Sequence, residues 1–307
     1  MDIAITGASG LLGTALRRAL EADGHHVLPV VRTSPSGPDT IGWSPGTGLI
    51  DAAAFEGLGA VVHLAGEGIA ERRWNAAQKT RIIESRTKGT ALLASTLAGL
   101  QNPPPVLLSA SAIGYYGDRG DEVLTEASSP GAGFLAEVCV AWENATRPAE
   151  DAGIRVAHLR TGIVLSRRGG PLPKLVPIFK LGLGGRLGNG RQIWSWISID
   201  DHVAATRFLL VNDQSGAFNL TAPQPVTNSL FTHALAHVLH RPAVLPVPKF
   251  APGILLGGEL AQNLLFSSAD VRPDRLTSAG FTFAQADIDH ALRAELRPDQ
   301  TAMESRP

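Results

Sequence analysis

The sequence has little cysteine, little tyrosine and almost no net charge. Cys139 is the only cysteine among 307 residues, so neither an intramolecular disulfide framework nor a cysteine-built metal cage can form, and a reducing compartment is expected. The formal net charge of −1 supplies no basic field for nucleic acid or for an anionic membrane surface. No apolar run reaches the length of a membrane span. The start does not read as a signal peptide, because Asp2 is followed at once by a strand-like run. The motifs of several chemistries are also missing: there is no GKS/T phosphate loop, no GxSxG nucleophile elbow and no HExxH zinc helix. His233, His237 and His240 share one helical face, but no cysteine or nearby carboxylate completes a metal shell, so a surface helix is expected there and no metal. These exclusions lead to a cytoplasmic globular protein with no nucleic acid partner and no membrane; a small-molecule substrate is expected, and a homodimer is left open.

What is present begins at the first residues. DIAIT (2–6) reads as a buried strand and runs into GASGLLG (7–13), which opens a helix. A helix start offers converging N–H groups and a favourable dipole to a phosphate. Gly7 permits the tight exit from the strand, Gly10 lets a pyrophosphate approach the backbone, and Gly13 allows close packing of helix on sheet. Strand, turn and helix come in the order a dinucleotide fingerprint requires. Leu12, Ala15, Leu16, Ala19 and Leu20 form the apolar stripe of a helix over 11–23, with Gly24 as its stop.

Further strands are expected at 26–32, 60–65 (AVVHLA), 106–109 and 154–161, and helices at 75–100 and 137–152. Pro29 is an awkward resident of the second strand. The alternation gives an α/β fold, a Rossmann doubly wound parallel sheet. Gly and Pro thicken over 169–190 and the alternation fades, which marks a smaller C-terminal α/β lobe. We divide the chain into a nucleotide-binding domain at 1–165, to which some later segments return, and a substrate lobe at 166–297 with a C-terminal module at about 248–295. The polar residues 298–307 read as a tail. The stretch 34–39 reads as a loop.

The end of the second strand separates the two nicotinamide dinucleotides. An NAD site places an acid there for the ribose 2′-OH, whereas an NADP site offers arginine to the 2′-phosphate. Here the strand ends Val30-Val31-Arg32 with no acid at the tip. Arg32 suits a phosphate, which a guanidinium meets with two parallel hydrogen bonds.

Taken together, GASGLLG (7–13), HLAGEG (63–68), LLSASAIGYYGD (107–118) and WISIDDHVAA (196–205) resemble the extended short-chain dehydrogenase/reductases. RRWNAAQKTRIIESR (72–86), FLAEVCVAWE (134–143) and LGLGGRLGNGRQIWSW (181–196) resemble one atypical, epimerase-family branch. HRPAVLPVP (240–248) and DVRPDRLTSAGFTF (270–283) resemble that branch's C-terminal module. The resemblance implies NADP(H) as cofactor. It implies that Gly7, Ser9, Gly10, Leu11, Leu12 and Gly13 hold the pyrophosphate, that Arg32 meets the 2′-phosphate, and that Leu64, Ala65 and Gly66 line the adenosine–ribose side. Arg86 stands where related reductases carry an asparagine beside the cofactor. Arg81 and Glu67 join it either as a charged wall around the nicotinamide end or as a structural cluster.

The family's usual tyrosine and lysine, four residues apart on one helix, are absent. Setting the glutamate that normally follows them on Glu143 places Cys139 at the lysine position and Leu135 at the tyrosine position, with Phe134 beside it. Neither residue can do that work. Ser109 and Ser111 follow the strand where related enzymes place a substrate-polarising hydroxyl, and Tyr115 and Tyr116 are the only two tyrosines. Ser111 and Tyr116 are the catalytic candidates, in a pocket bounded also by Arg86 and Trp196. Trp194 and Trp196 either stack on a ligand or belong to the core. Asp200 and Asp201 look like a helix N-cap pair. Two functions stay open: an NADP(H)-dependent oxidoreductase of the epimerase kind on a small polar substrate, and an NADP(H)-binding sensor linked to cell division that does little chemistry.

Overall fold

The computed structural model describes residues 1–32, 37 and 39–297. The expected loop at 34–39 lies mostly outside the described residues, and the expected tail at 298–307 lies wholly outside them. The chain begins with β1 (Asp2–Thr6), α1 (Leu11–Ala22), β2 (His26–Val31), β3 (Ile41–Ser44), β4 (Leu49–Ile50) and β5 (Ala60–His63). Helix α2 (Ala76–Ala98), β6 (Val106–Ala112), β7 (Val123–Leu124), α3 (Phe134–Asn144), α4 (Arg147–Asp151), β8 (Arg155–Thr161) and β9 (Ile163–Leu165) follow. The remainder holds α5 (Leu172–Lys180), β10 (Ile193–Trp194), β11 (Trp196–Ser198), α6 (Ile199–Val211), β12 (Gly216–Leu220), β13 (Val226–Thr227), α7 (Asn228–Leu239) and β14 (Asp270–Val271). No described helix is long and apolar enough to cross a membrane.

One sheet of eight strands runs in the order β12-β8-β6-β5-β1-β2-β3-β4. β1 pairs in parallel with β2 and β5, β5 with β6, and β2 with β3, while β4 returns antiparallel to β3. β5 is buried along its whole length, as strands covered on both faces are. β3 and β4 went unseen in the sequence because they are only four and two residues long. Pairing of β2 with β3 starts at Val30, one residue beyond Pro29. Helix α2 begins where the Asn75 side chain accepts the Gln78 amide at 2.8 Å. The single helix expected over 137–152 is two. Pro148 has no N–H and cannot continue an i to i−4 ladder; the chain breaks at residues 145–146 and restarts as α4 with the proline in its first turn.

The chain forms two compact units. The first takes Met1–Tyr115, Gly133–Arg160 and Val203–Phe218; the second takes Tyr116–Ala132, Thr161–His202 and the chain from Asn219 onward. The first unit's second segment closes at Arg160, five residues before position 165, and a later segment, Val203–Phe218, returns to this unit, while Tyr116–Ala132 falls in the second. Its core gathers Val30, Ile41, Trp43, Phe55, Val61 and Leu97. The second unit's core gathers Leu165, Phe179, Trp194, Trp196, Phe231 and Leu235, so both tryptophans are packed as core. Within this unit β7 pairs with β14 and β9 with β11, both in parallel. Asp200 and Asp201 do not cap α6. Ser198 Oγ accepts the Asp201 amide at 3.0 Å, and the buried Asp201 carboxylate accepts the Ala284 and Gln285 amides, each at 2.8 Å.

Candidate dinucleotide site

The glycine turn is built so tightly that side chains are excluded from it. Gly7 has φ +68°, in the region that favours glycine, and a Cβ on it would lie 2.9 Å from the Leu64 carbonyl carbon. A Cβ on Gly13 would lie 2.2 Å from the Gly7 oxygen, so only glycine fits. The Gly10 amide donates to that same oxygen at 3.0 Å. Gly10 is the N-cap of α1 and brings no side chain to accept the helix's first amides. An exposed Ser9–Gly10 edge in front of uncapped amides fits the diphosphate of a dinucleotide. Arg32 follows β2 directly and is exposed.

The neighbouring strand end is held from three sides. Thr6 Oγ1 accepts the Leu64 and Ala65 amides, each at 3.1 Å, and lies 2.7 Å from His63 Nδ1. His63 Nε2 lies 2.9 Å from Thr90 Oγ1. Burial lowers the His63 pKa to about 4, so the ring is neutral at physiological pH. Beyond it, Arg86 Nη1 donates to the carbonyls of Glu67 at 2.9 Å and Ile82 at 3.2 Å. Its guanidinium carbon would stand 3.3 Å from a Cβ on Gly66, and it lies 4.9 Å from the Trp142 ring centroid. Burial pulls the Arg86 pKa down, while Cys139 and Glu67 pull it up; the group stays a cation. Gln78 links the remaining charges. Its Nε2 donates to Glu67 Oε1 at 3.5 Å, and its Oε1 accepts from Arg81 Nε and Nη2 at 3.1 and 2.6 Å. Gly66 and Glu67, on the segment after β5, are thus brought together with Arg81 and Arg86 of α2.

The catalytic candidates lie differently. Ser111, in β6, donates to Glu143 Oε1 at 2.6 Å. Arg160, in β8, grips the same carboxylate with Nε and Nη2, both at 2.8 Å, and its guanidinium carbon sits 3.4 Å from the Tyr115 ring centroid. Burial pushes the Glu143 pKa up, but the hydrogen bonds and charge of Arg160, with the bond from Ser111, outweigh it and leave the carboxyl below its ordinary value. Arg160 went unnoticed in the sequence: it sits 17 residues from Glu143, and no local spacing links a strand residue to a helix residue across the sheet. Ser109 is fully buried with no hydrogen-bond partner for its hydroxyl among the described residues. Tyr116 belongs to the second unit, is fully buried, and donates to Asn219 Oδ1 at 2.7 Å. Leu135 and Cys139 both face Gly114, the Cys139 sulfur 3.6 Å from a Cβ built there. Burial first, and then Glu143, push the Cys139 thiol up to about 12, so it stays protonated and carries no charge.

A mostly parallel sheet whose first strand turns through a glycine cradle into a helix defines a Rossmann-type nucleotide-binding protein. Residues 3–221 match the NAD dependent epimerase/dehydratase family, and residues 247–295 match a domain of unknown function, DUF1731. The chain belongs to the NAD dependent epimerase/dehydratase family, in the atypical extended short-chain dehydrogenase/reductase branch. It is 44% identical over 291 residues to an epimerase family protein of Mycobacterium bovis, covering 94% of this chain and 96% of that one. Human epimerase family protein SDR39U1 is 33% identical, with 95% of this chain and 99% of that one covered. The crystal structure of human SDR39U1 isoform 2 with NADPH superimposes with a TM-score of 0.88 at 31% identity, over 96% of this chain and 99% of that one.

Proposed function

We propose that this chain is an NADP(H)-dependent oxidoreductase of the epimerase kind, acting on a small polar substrate without the tyrosine–lysine pair. The observation that carries the reading is the glycine cradle in front of an uncapped α1, supported by the NADPH in the human relative's structure. In this reading Gly7, Ser9, Gly10, Leu11, Leu12 and Gly13 hold the pyrophosphate with backbone amides. Arg32 takes the 2′-phosphate, which distinguishes NADP from NAD, and Leu64, Ala65 and Gly66 line the adenosine side. A bound nicotinamide supplies a hydride donor or acceptor at its C4.

The proton falls to the chain's own groups. Ser111 has already committed its hydrogen to Glu143, so its oxygen is left to accept one. In the oxidising direction a substrate hydroxyl gives its proton to Ser111 Oγ while the Ser111 hydrogen passes to the Glu143 carboxylate, which Arg160 keeps ionised at rest; in the reducing direction the relay runs backward, from a Glu143 protonated by solvent through Ser111 to the carbonyl oxygen. The neutral thiol of Cys139 adds no charge at the place of the absent lysine.

The test is to load the protein with NADPH, add carbonyl compounds and nucleotide sugars such as UDP-glucose, and follow NADPH fluorescence. Wild type is expected to consume NADPH with at least one of them. Ser111→Ala is expected to do so at least about tenfold more slowly with NADPH affinity unchanged. An undiminished rate in Ser111→Ala removes the serine from the mechanism. NADPH binding without consumption favours the regulatory reading, in which Leu135 and Cys139 mark a site that has given up chemistry.

A further inference from the structure

His63 is fully buried at the end of β5 and takes no part in the proton path above. Its ring stands between two hydroxyls, and Thr6 decides which nitrogen bears the hydrogen. The Thr6 oxygen already accepts two backbone amides, those of Leu64 and Ala65, and a hydroxyl oxygen has two lone pairs. The Thr6 hydrogen therefore goes to His63 Nδ1, 2.7 Å away. The imidazole carries its own hydrogen on Nε2 and donates it to Thr90 Oγ1 at 2.9 Å. A continuous chain of donation thus runs from the amides of residues 64 and 65 through Thr6 in β1 and His63 beside it to Thr90 in α2. Trp43 packs edge-on against the ring, with centroids 5.8 Å apart.

We infer that His63 is a positioning residue for the dinucleotide: acting through Thr6, it fixes the 64–66 strand end against the glycine turn. The inference rests on the cofactor reading above and goes beyond it, because the fully buried ring offers no surface to a ligand. The turn and the strand end are in direct contact, since a Cβ on Gly7 would lie 2.9 Å from the Leu64 carbonyl carbon and 3.0 Å from both the Ala65 nitrogen and the Leu64 oxygen. A shift of the strand end therefore moves the surface on which the pyrophosphate and the adenosine ribose rest. Without the ring, the Thr6 hydroxyl loses its acceptor in an apolar core and rotates toward another, releasing the Ala65 amide, while the Leu64 amide keeps the Thr6 carbonyl at 3.2 Å.

The experiment measures NADPH dissociation constants by fluorescence. His63→Ala is expected to weaken NADPH at least about tenfold. His63→Gln, which offers an acceptor toward Thr6 and a donor toward Thr90, is expected to recover most of the loss. Leu97→Ala cuts the same core without touching the chain of hydroxyls, and so shows what lost stability alone does. Equal NADPH affinities in His63→Ala and Leu97→Ala overturn the inference and leave the cofactor reading standing. No NADPH affinity in wild type overturns both. If His63→Ala does not fold, Thr90→Val decides: about threefold weaker binding supports the tether, and unchanged binding overturns it.

Discussion

A serine that has given its hydrogen to a carboxylate can only receive another, and that polarity makes Ser111 more informative than its place in a motif. The motif in β6 pointed to the residue, but the Glu143–Arg160 pair that sets its direction joins α3 to β8 and left no trace in local spacing. The same limit applies to Tyr116, whose place beside a second tyrosine suggested a proton donor and whose hydroxyl is instead committed to Asn219. Two histidines make a prediction at this scale. His63 and His202 are buried, and desolvation lowers each pKa from 6.5 to about 4. The unfolded chain then binds more protons between those values, so the stability each neutral ring contributes is full above pH 6.5 and falls as the pH drops toward 4. For His63 roughly 2 kcal/mol is lost between pH 7 and pH 5. Urea unfolding at the two pH values is expected to show the loss in wild type and a smaller one in His63→Gln. Equal pH dependence in the two would mean that the ring is not held neutral.

At the level of elements, the sequence showed most where one residue type answers one geometric demand. Glycines at positions 7 and 13 announced the turn because nothing else fits there, and α1 and β5 followed from their apolar patterns. The break between α3 and α4 was legible only in Pro148, and β3 and β4 were not legible, because runs of four and two residues are too short for alternation to mark a strand. Gly13→Ala tests the turn as an element. Its Cβ would meet the Gly7 oxygen at 2.2 Å, and relieving the overlap moves backbone, at about 1–3 kcal/mol of stability. The variant is expected to melt several degrees lower and to bind NADPH at least about tenfold more weakly. A folded Gly13→Ala protein with wild-type affinity would count against the cradle.

The whole molecule is a family member whose first unit carries the recognisable chemistry. The fold class was readable from the alternation of strands and helices. That Tyr116–Ala132 belongs to the second unit was not, because β7 is held by β14, almost 150 residues away in the chain, through the pairs Val123–Asp270 and Leu124–Val271. The proposed chemistry requires NADPH as the bound dinucleotide and Arg32 as the reader of its 2′-phosphate. The most direct test is calorimetric titration of NADPH and NADH into wild type and Arg32→Asp. Wild type is expected to bind NADPH at least about tenfold more tightly than NADH, and Arg32→Asp to lose that preference through weaker NADPH binding with NADH little changed. Absence of NADPH binding in wild type, or an equal loss of both dinucleotides in the variant, would contradict it.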